Sequence, residues 1–401
     1  MRVSRAVALM AAVVAVAACQ EKKQEAPPAA APAAPQAAAP APAGAGDKIV
    51  IGHVASMTGN EATFGDSTDK GIKLAVDEQN KKGGVKGKQL VVKTLDDQGK
   101  PEEAAVAATR LVTQDAVAVL LGEVASSRSL AMAPIADSNK VPMISPTSTN
   151  PRVTKDGDKT RPYVFRVCFI DPFQGTVMAK FSRENLKITN VAVLRDVGND
   201  YSVGLANFFA AKFKDLGGKI ISDESYKAGD QDFKAQLTAI KNKKPQAIYV
   251  PGYYTDVALI SRQARELGIK VPLMGGDGWD SAKLYEIAKG ALDGSYFSNH
   301  YSDEDPSPII QGFVKKYKDT YGAVPDALAV LGYDAAKVAI NAMETAKDLT
   351  GPSLRDAIEA TKGFQGVSGT INLDADHNAV KSAVVLGIKN NQAKFAATVN
   401  P

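Results

Sequence analysis

Residues 122–130 read GEVASSRSL, with hydroxyls at Ser126, Ser127 and Ser129 directly after an apolar run. Small hydroxyls in that setting suit three chemistries: a nucleophile activated by a base, a cap on a helix N-terminus, or a lip of donors for an anion. A second hydroxyl run, SPTST, fills 145–149. Further along, GGDGW at 275–279 sets Asp277 between glycines, two residues before Trp279, the only tryptophan. Asp277 has two readings, a carboxylate for a cationic group and the acid of a Gly-Asp-Gly turn. Trp279 also has two, a buried core ring and the wall of a pocket.

Covalent catalysis finds little support. The chain has no G-x-S-x-G elbow, no phosphate-binding loop with its Lys-Ser or Lys-Thr, and no H-E-x-x-H. Its three histidines, His53, His300 and His377, are scattered and lack metal-ligand spacing, so neither metal nor cofactor is expected. Asp96 and Asp97 follow a strand-like run and read as a turn into a helix, and KKGG at 81–84 reads as a helix end with a left-handed glycine cap. Cys168 lies in the apolar run YVFRVCFI and reads as a buried, inert thiol. No enzyme is expected.

These residues sit in a regular alternation. KIVIGHVA precedes the amphipathic STDKGIKLAVDEQNKK, QLVVKTL precedes PEEAAVAATRLVTQ, and AVAVLLGEV precedes SRSLAMAPIADSNK. Such alternation builds right-handed βαβ units around a parallel sheet covered on both faces, a doubly wound α/β fold. The pattern then repeats: the stretch from Gly84 to Ala116 has a counterpart from Gly218 to Ala247, which puts Ser126 and Tyr253 just past the ends of corresponding strands. Ligands bind at the carboxyl ends of parallel strands, so two such edges facing one another would form a cleft.

The ends and the charge balance set the compartment. Arg2 and Arg5 precede an apolar run, Ala6 to Ala18, that is too short for a membrane span and reads as a secretory signal over 1–18. VAAC before Cys19 resembles a bacterial lipobox, which makes Cys19 the expected lipidated N-terminus. An Ala/Pro-rich tether covers 19–46; twenty residues of polyproline II at about 3.1 Å each reach about 60 Å. The chain carries 48 basic and 44 acidic residues, two of the basic ones in the leader, so the exported part is nearly neutral and nothing argues for nucleic acid. The residues beyond the tether exceed what one core usually holds, pointing to two domains.

Several stretches together resemble the type I periplasmic binding proteins of the leucine/isoleucine/valine-binding class, the substrate-binding subunits of ABC importers. They are IGHVASMTGNEATFGDSTDKGIKLAVDEQNKKGGVKGKQL, GEVASSRSLAMAPIADSNKVPMISPTSTNP, NDYSVGLANFF, IYVPGYYTDVALISRQARELG and LMGGDGWDS. The resemblance implies two doubly wound parallel-sheet lobes joined by a three-crossover hinge: 47–170 with about 301–384 in the N-terminal lobe, and 171–300 with about 385–401 in the C-terminal lobe. It implies that Ser126 and Thr149 bind a ligand carboxylate through side chains, Thr147 through its backbone, and that Asp277 receives the ligand ammonium. Tyr201 and Tyr253 would cover the ligand, with Phe64 where the family often has Tyr and Asp277 where it often has Glu. Glu123 and Arg128 depart from the neutral pattern of an aliphatic amino-acid binder and read as solvated rim residues or as the mark of a more polar ligand. The implied function is capture of a branched-chain or related amino acid, outside the cytoplasm, by a lipid-anchored monomer serving an ABC permease. A sensor docking to a receptor or kinase, or a binder of an amide, urea or aromatic acid, would use the same cleft.

Overall fold

The computed structural model describes residues 48–400. The first half of the alternation runs β1 (Lys48–Ala55), α1 (Ala62–Lys81), β2 (Gln89–Asp96), α2 (Pro101–Thr113), β3 (Val119–Leu121), α3 (Ser126–Asn139) and β4 (Met143–Ser145). A small hairpin of β5 (Lys155–Asp156) and β6 (Lys159–Thr160) leads to β7 (Val164–Arg166). Strands β2, β1, β3, β4 and β7 lie side by side in that order, all parallel. Strands β3 and β4 inside the sheet and β7 at its edge are buried at every position; β3 is wholly apolar, whereas β4 and β7 end in the buried Ser145 and Arg166.

The second half repeats this order. It comprises α4 (Asp171–Lys180), β8 (Asn190–Asp196), α5 (Asp200–Asp215), β9 (Lys219–Tyr226), α6 (Lys234–Lys243), β10 (Ala247–Tyr249), α7 (Tyr254–Glu266), β11 (Leu273–Gly275), α8 (Ala282–Ala288) and β12 (Tyr296–Asn299). Strands β9, β8, β10, β11 and β12 are parallel neighbours, the same 2-1-3-4-5 order as in the first sheet. In both sheets the order reverses between the first and third strands, and ligand crevices open at that reversal.

The chain then returns to the first lobe as α9 (Pro308–Tyr321), α10 (Ala327–Thr345) and α11 (Gly351–Glu359), followed by a hairpin of β13 (Phe364–Gly366) and β14 (Gly369–Ile371). It ends in the second sheet as β15 (Ala383–Lys389), antiparallel beside β12, and β16 (Gln392–Val399), antiparallel beside β15 at the edge. Three passages between lobes follow: after β7, after β12 and after β14. Of the two closing strand-like segments, SAVVLGIKN (382–390) thus joins a main sheet, whereas SGTINLD (368–374) pairs with β13 and, through Leu373, with Ala379. The final strand β16 gives a weak sequence signal, because most of its side chains are at least partly exposed on an edge.

Close helix contact builds the first lobe. A Cβ on Gly71 in α1 would fall 2.0 Å from the Ala329 carbonyl oxygen of α10, and one on Gly332 in α10 would fall 2.6 Å from the Thr68 carbonyl oxygen. Glycine at both points lets the backbones touch while Ile72, Ala75 and Val76 bury against Leu331, Ala335 and Ala339. Gly83 and Gly84 end α1 with positive φ, as the KKGG reading expects. The leader, the tether and Cys19 lie outside the described residues.

Candidate ligand-binding site

Eight residues of the site lie on segments that follow the carboxyl ends of strands. Phe64 follows β1, Ser126 follows β3, and Thr147 and Thr149 follow β4. Across the cleft, Tyr201 follows β8, Tyr253 follows β10, Asp277 follows β11 and His300 follows β12. These eight, with Val124, Gly278 and Leu328, line one narrow, partly open cavity whose empty space, open solvent included, is about 320 Å3. Both strand-order reversals therefore face the same space.

The first-lobe side of the cavity is rich in donors. Ser126 is the first residue of α3, where the leading backbone N–H groups have no partner within the helix. The expected serine cap is corrected here: Ala125 holds the cap position, and the Ser126 hydroxyl instead accepts the Asn150 N–H at 3.2 Å. Glu123 takes part of the capping role, its Oε2 accepting the Ala125 N–H at 2.5 Å. The Thr147 hydroxyl donates to the Val124 carbonyl at 2.9 Å. Thr149 Oγ1 has no hydrogen-bond partner of ordinary geometry among the described residues, although it is buried beside the Asp171 carboxyl. Burial pushes that carboxyl up to about 8, against the opposing influence of Thr149.

The second-lobe side supplies an acceptor and an aromatic wall. Asp277 Oδ1 accepts the Gln174 Nε2–H at 2.7 Å and the Tyr201 hydroxyl at 2.9 Å, while its Oδ2 faces His300 Nε2 at 2.9 Å. The Tyr201 hydroxyl also accepts the Gly278 N–H at 3.2 Å. The rings of Tyr201 and Tyr253 stack at 5.4 Å, and Phe64 meets Tyr253 edge-on at 5.5 Å from the other lobe. Phe64, Val124 and Leu328 leave an apolar space between the donor lip and the carboxylate. Among the described residues, no group of three or more His, Cys, Asp or Glu is placed to hold a metal ion.

Trp279 departs from the pocket-wall reading. It is fully buried, donates Nε1–H to the Val250 carbonyl at 3.0 Å and packs beside Phe297, away from the cavity. Its ring lies so close to Gly275 that a Cβ there would sit 2.2 Å from it. The turn after β11 directs Asp277 and Gly278 into the cleft and sends Trp279 back into the core.

Glu123 and Arg128 depart from both of their readings. Arg128 is 4% exposed and Glu123 fully buried, yet neither lines the cavity. Arg128 Nε donates to Glu123 Oε2 at 2.8 Å, and its Nη1 donates to Glu61 Oε2 at 2.9 Å and to the Gly99 carbonyl at 3.2 Å. Asp97 completes the cluster through Ser56, whose hydroxyl donates to it at 2.7 Å; burial and the nearby Glu123 push Asp97 up to about 7. Both acids also play the expected turn role: Asp96 Oδ1 accepts the Gln98 N–H at 2.8 Å, besides the Met57 and Thr58 amides, and Asp97 Oδ1 accepts the Gly99 N–H at 2.8 Å. Cys168 is buried, its thiol pushed up to about 12 chiefly by desolvation.

Four cavity residues escaped motif reading: Val124, Gly278, His300 and Leu328. A signal did exist for His300, which stands one residue past β12 on the edge where ligands gather. Gln174, which orients Asp277 from α4, carried no such signal.

Two lobes of identical strand order, a cavity at their facing strand ends, donors on one wall and a carboxylate on the other define a bilobal solute-binding protein. A family model described as periplasmic binding protein matches residues 48–393, and the chain belongs to that family. It is 34% identical over 294 residues to a Leu/Ile/Val-binding protein of Rhizobium johnstonii, covering 73% of this chain and 76% of that one. A leucine-binding protein of Thermotoga maritima superposes with a TM-score of 0.84 at 44% identity, over 88% of this chain and 99% of that one. The branched-chain amino acid transporter substrate-binding protein LivJ of Streptococcus pneumoniae, solved in complex with isoleucine, gives 0.83 at 36% identity, over 88% of this chain and all of its own.

Proposed function

We propose that this protein captures leucine or a related branched-chain amino acid in the cleft and hands it to the permease of an ABC importer, acting as a lipid-anchored monomer outside the cytoplasm. The opposed chemistry of the cavity carries the reading. An α-amino acid is a zwitterion and needs donors at one end and an anion at the other. Ser126, Thr149, the Thr147 backbone and the α3 N-terminus supply donors for the carboxylate. Asp277 takes the ammonium, and Phe64, Val124, Tyr253 and Leu328 surround an aliphatic side chain. The relatives that bind leucine or isoleucine support that ligand class.

The serines argue for binding over turnover. Among the described residues, no histidine or lysine bonds Ser126, whose hydroxyl accepts the Asn150 N–H. Attachment through Cys19 fits the family's place outside the cytoplasm; among the described residues, no helix is long and apolar enough to cross a membrane.

Calorimetry of ligand-stripped protein against the twenty amino acids tests the reading. Leucine, isoleucine or valine is expected to bind most tightly, and heat from none of the twenty would sink it. Ser126→Ala is expected to weaken leucine binding about tenfold to a hundredfold, the worth of one hydrogen bond to a charged group.

A further inference from the structure

The acceptor corner holds a group whose charge is not fixed. His300 lines the cavity, stacks on Phe169 with ring centroids 3.8 Å apart, and meets Asp277 Oδ2 through Nε2. A carboxylate has about four lone-pair sites, and Gln174, Tyr201 and His300 occupy three of them on Asp277. Because a carboxylate only accepts, Nε2 carries the proton in this contact. Neutral His300 then has a bare Nδ1, which among the described residues has no donor facing it. All three of these partners of Asp277 are uncharged in that state, so a ligand ammonium would be the cation in direct contact with it.

We propose that His300 is a positioning residue that makes the cleft select for an ammonium group: neutral, it holds Asp277 with one Oδ2 site open, and protonated, it becomes the counter-cation itself and displaces the ligand's ammonium. This rests on the amino-acid reading above.

The surroundings set the direction. Burial favours the neutral ring, and the charge of Lys381 adds to that; Asp277 pulls the other way, and the net effect lowers the pKa of His300 below its ordinary value. Lys381 is itself buried, pushed down to about 8, and donates to the Ser368 hydroxyl. Asp171, Cys168, Tyr201, Tyr249 and Asp280 also lie within electrostatic reach of Asp277. At neutral pH the ring is therefore uncharged and the site is competent. As pH falls through the lowered pKa, the imidazolium pairs with Asp277 and affinity for the ammonium is lost. By linkage, a bound ammonium must lower the His300 pKa further.

The test compares L-leucine dissociation constants from pH 7.5 to 4.5 in the wild type and in His300→Gln, which keeps an N–H donor to Asp277 but cannot titrate. The wild type is expected to weaken at least tenfold over that span, and His300→Gln less than threefold. Equal slopes would assign the effect to Asp277 and overturn the proposal, as would a flat wild-type profile. Nitrogen-15 NMR of the ligand-free wild type reads the ring without any ligand: a proton on Nε2 and titration below 6.5 are expected. A proton on Nδ1, or titration above 6.5, overturns the role of His300. Failure of leucine to bind at pH 7.5 would instead strike the amino-acid reading.

Discussion

Glu123 and Arg128 are charged side chains next to a predicted ligand lip, and local sequence offers no reason to bury them. Burial is tolerable because each finds a partner: Arg128 joins Glu123 from its own turn to Glu61 from the segment before α1. The ion cluster ties together the loops after β1, β2 and β3, the same loops that bring Phe64 and Ser126 to the cavity. Removing one partner of such a set leaves buried charge uncompensated. Arg128→Ala is therefore expected to lower unfolding stability by about 3–5 kcal/mol, measured by urea denaturation. A variant as stable as the wild type would mean that the cluster contributes little. Lys381 and Asp334 form a related arrangement through Ser368, which fastens the third inter-lobe passage to α10.

Helix starts do two jobs in this fold. The start of α3 presents Ser126 to the cavity and, one residue on, Ser127 to the opposite lobe. There the Ser127 hydroxyl donates to Asp200 Oδ2 at 2.9 Å and accepts the Asp200 N–H at 3.0 Å. Asn150 Nδ2 donates to the Asp200 carbonyl at 2.8 Å, and Arg152 Nη1 meets Asp200 Oδ1 at 2.9 Å. Asp200 opens α5 in the second lobe and does not line the cavity, so these bonds hold the closed form without touching ligand. Arg152 is largely exposed and adds little in solvent, whereas the hydrogen bonds from Ser127 and Asn150 are each worth about 1 kcal/mol. Asp200→Ala removes the carboxylate bonds to Ser127 and Arg152 but keeps the backbone carbonyl that Asn150 meets, and it is expected to weaken leucine binding about fivefold, mainly through faster release in stopped-flow traces, with the ligand-free melting temperature nearly unchanged. Unaltered release would remove this contact from the closure mechanism.

Closure joins the two lobes into one binding unit. Three passages of chain link the sheets, and the facing surfaces otherwise meet through few polar bonds, such as Thr63 Oγ1 with Ser281 Oγ at 2.9 Å and the Thr255 hydroxyl with the Asn60 carbonyl at 2.6 Å. A ligand bonded to both lobes at once favours the closed state by its differential affinity. Leucine at about a hundred times its dissociation constant is expected to stabilise the fold by about 2.7 kcal/mol, read as a rise in melting temperature. Small-angle scattering is expected to show a smaller radius of gyration with leucine than without. A ligand that raised the melting point with no contraction would place binding on one lobe alone.

Period and composition by themselves determined the alternation of strands and helices, the duplication of the lobe, and the location of Ser126 and Tyr253 past equivalent strands, because these are local properties of a chain that must cover both faces of a parallel sheet. Resemblance to the family, and not period or composition, made Thr147, Thr149, Tyr201 and Asp277 ligand candidates. Tertiary structure decided what had no local cause. Trp279 turned inward because Gly275 left room for its ring against the second sheet. Glu123 and Arg128 became a buried pair only when Glu61, from a loop more than sixty positions away in sequence, closed over them. His300 and Gln174 reached Asp277 from separate elements, and hydrogen bonds across such distances leave no periodic trace. Strand ends can be read along the chain, but which side chains meet there depends on how two sheets and their hinge are folded together.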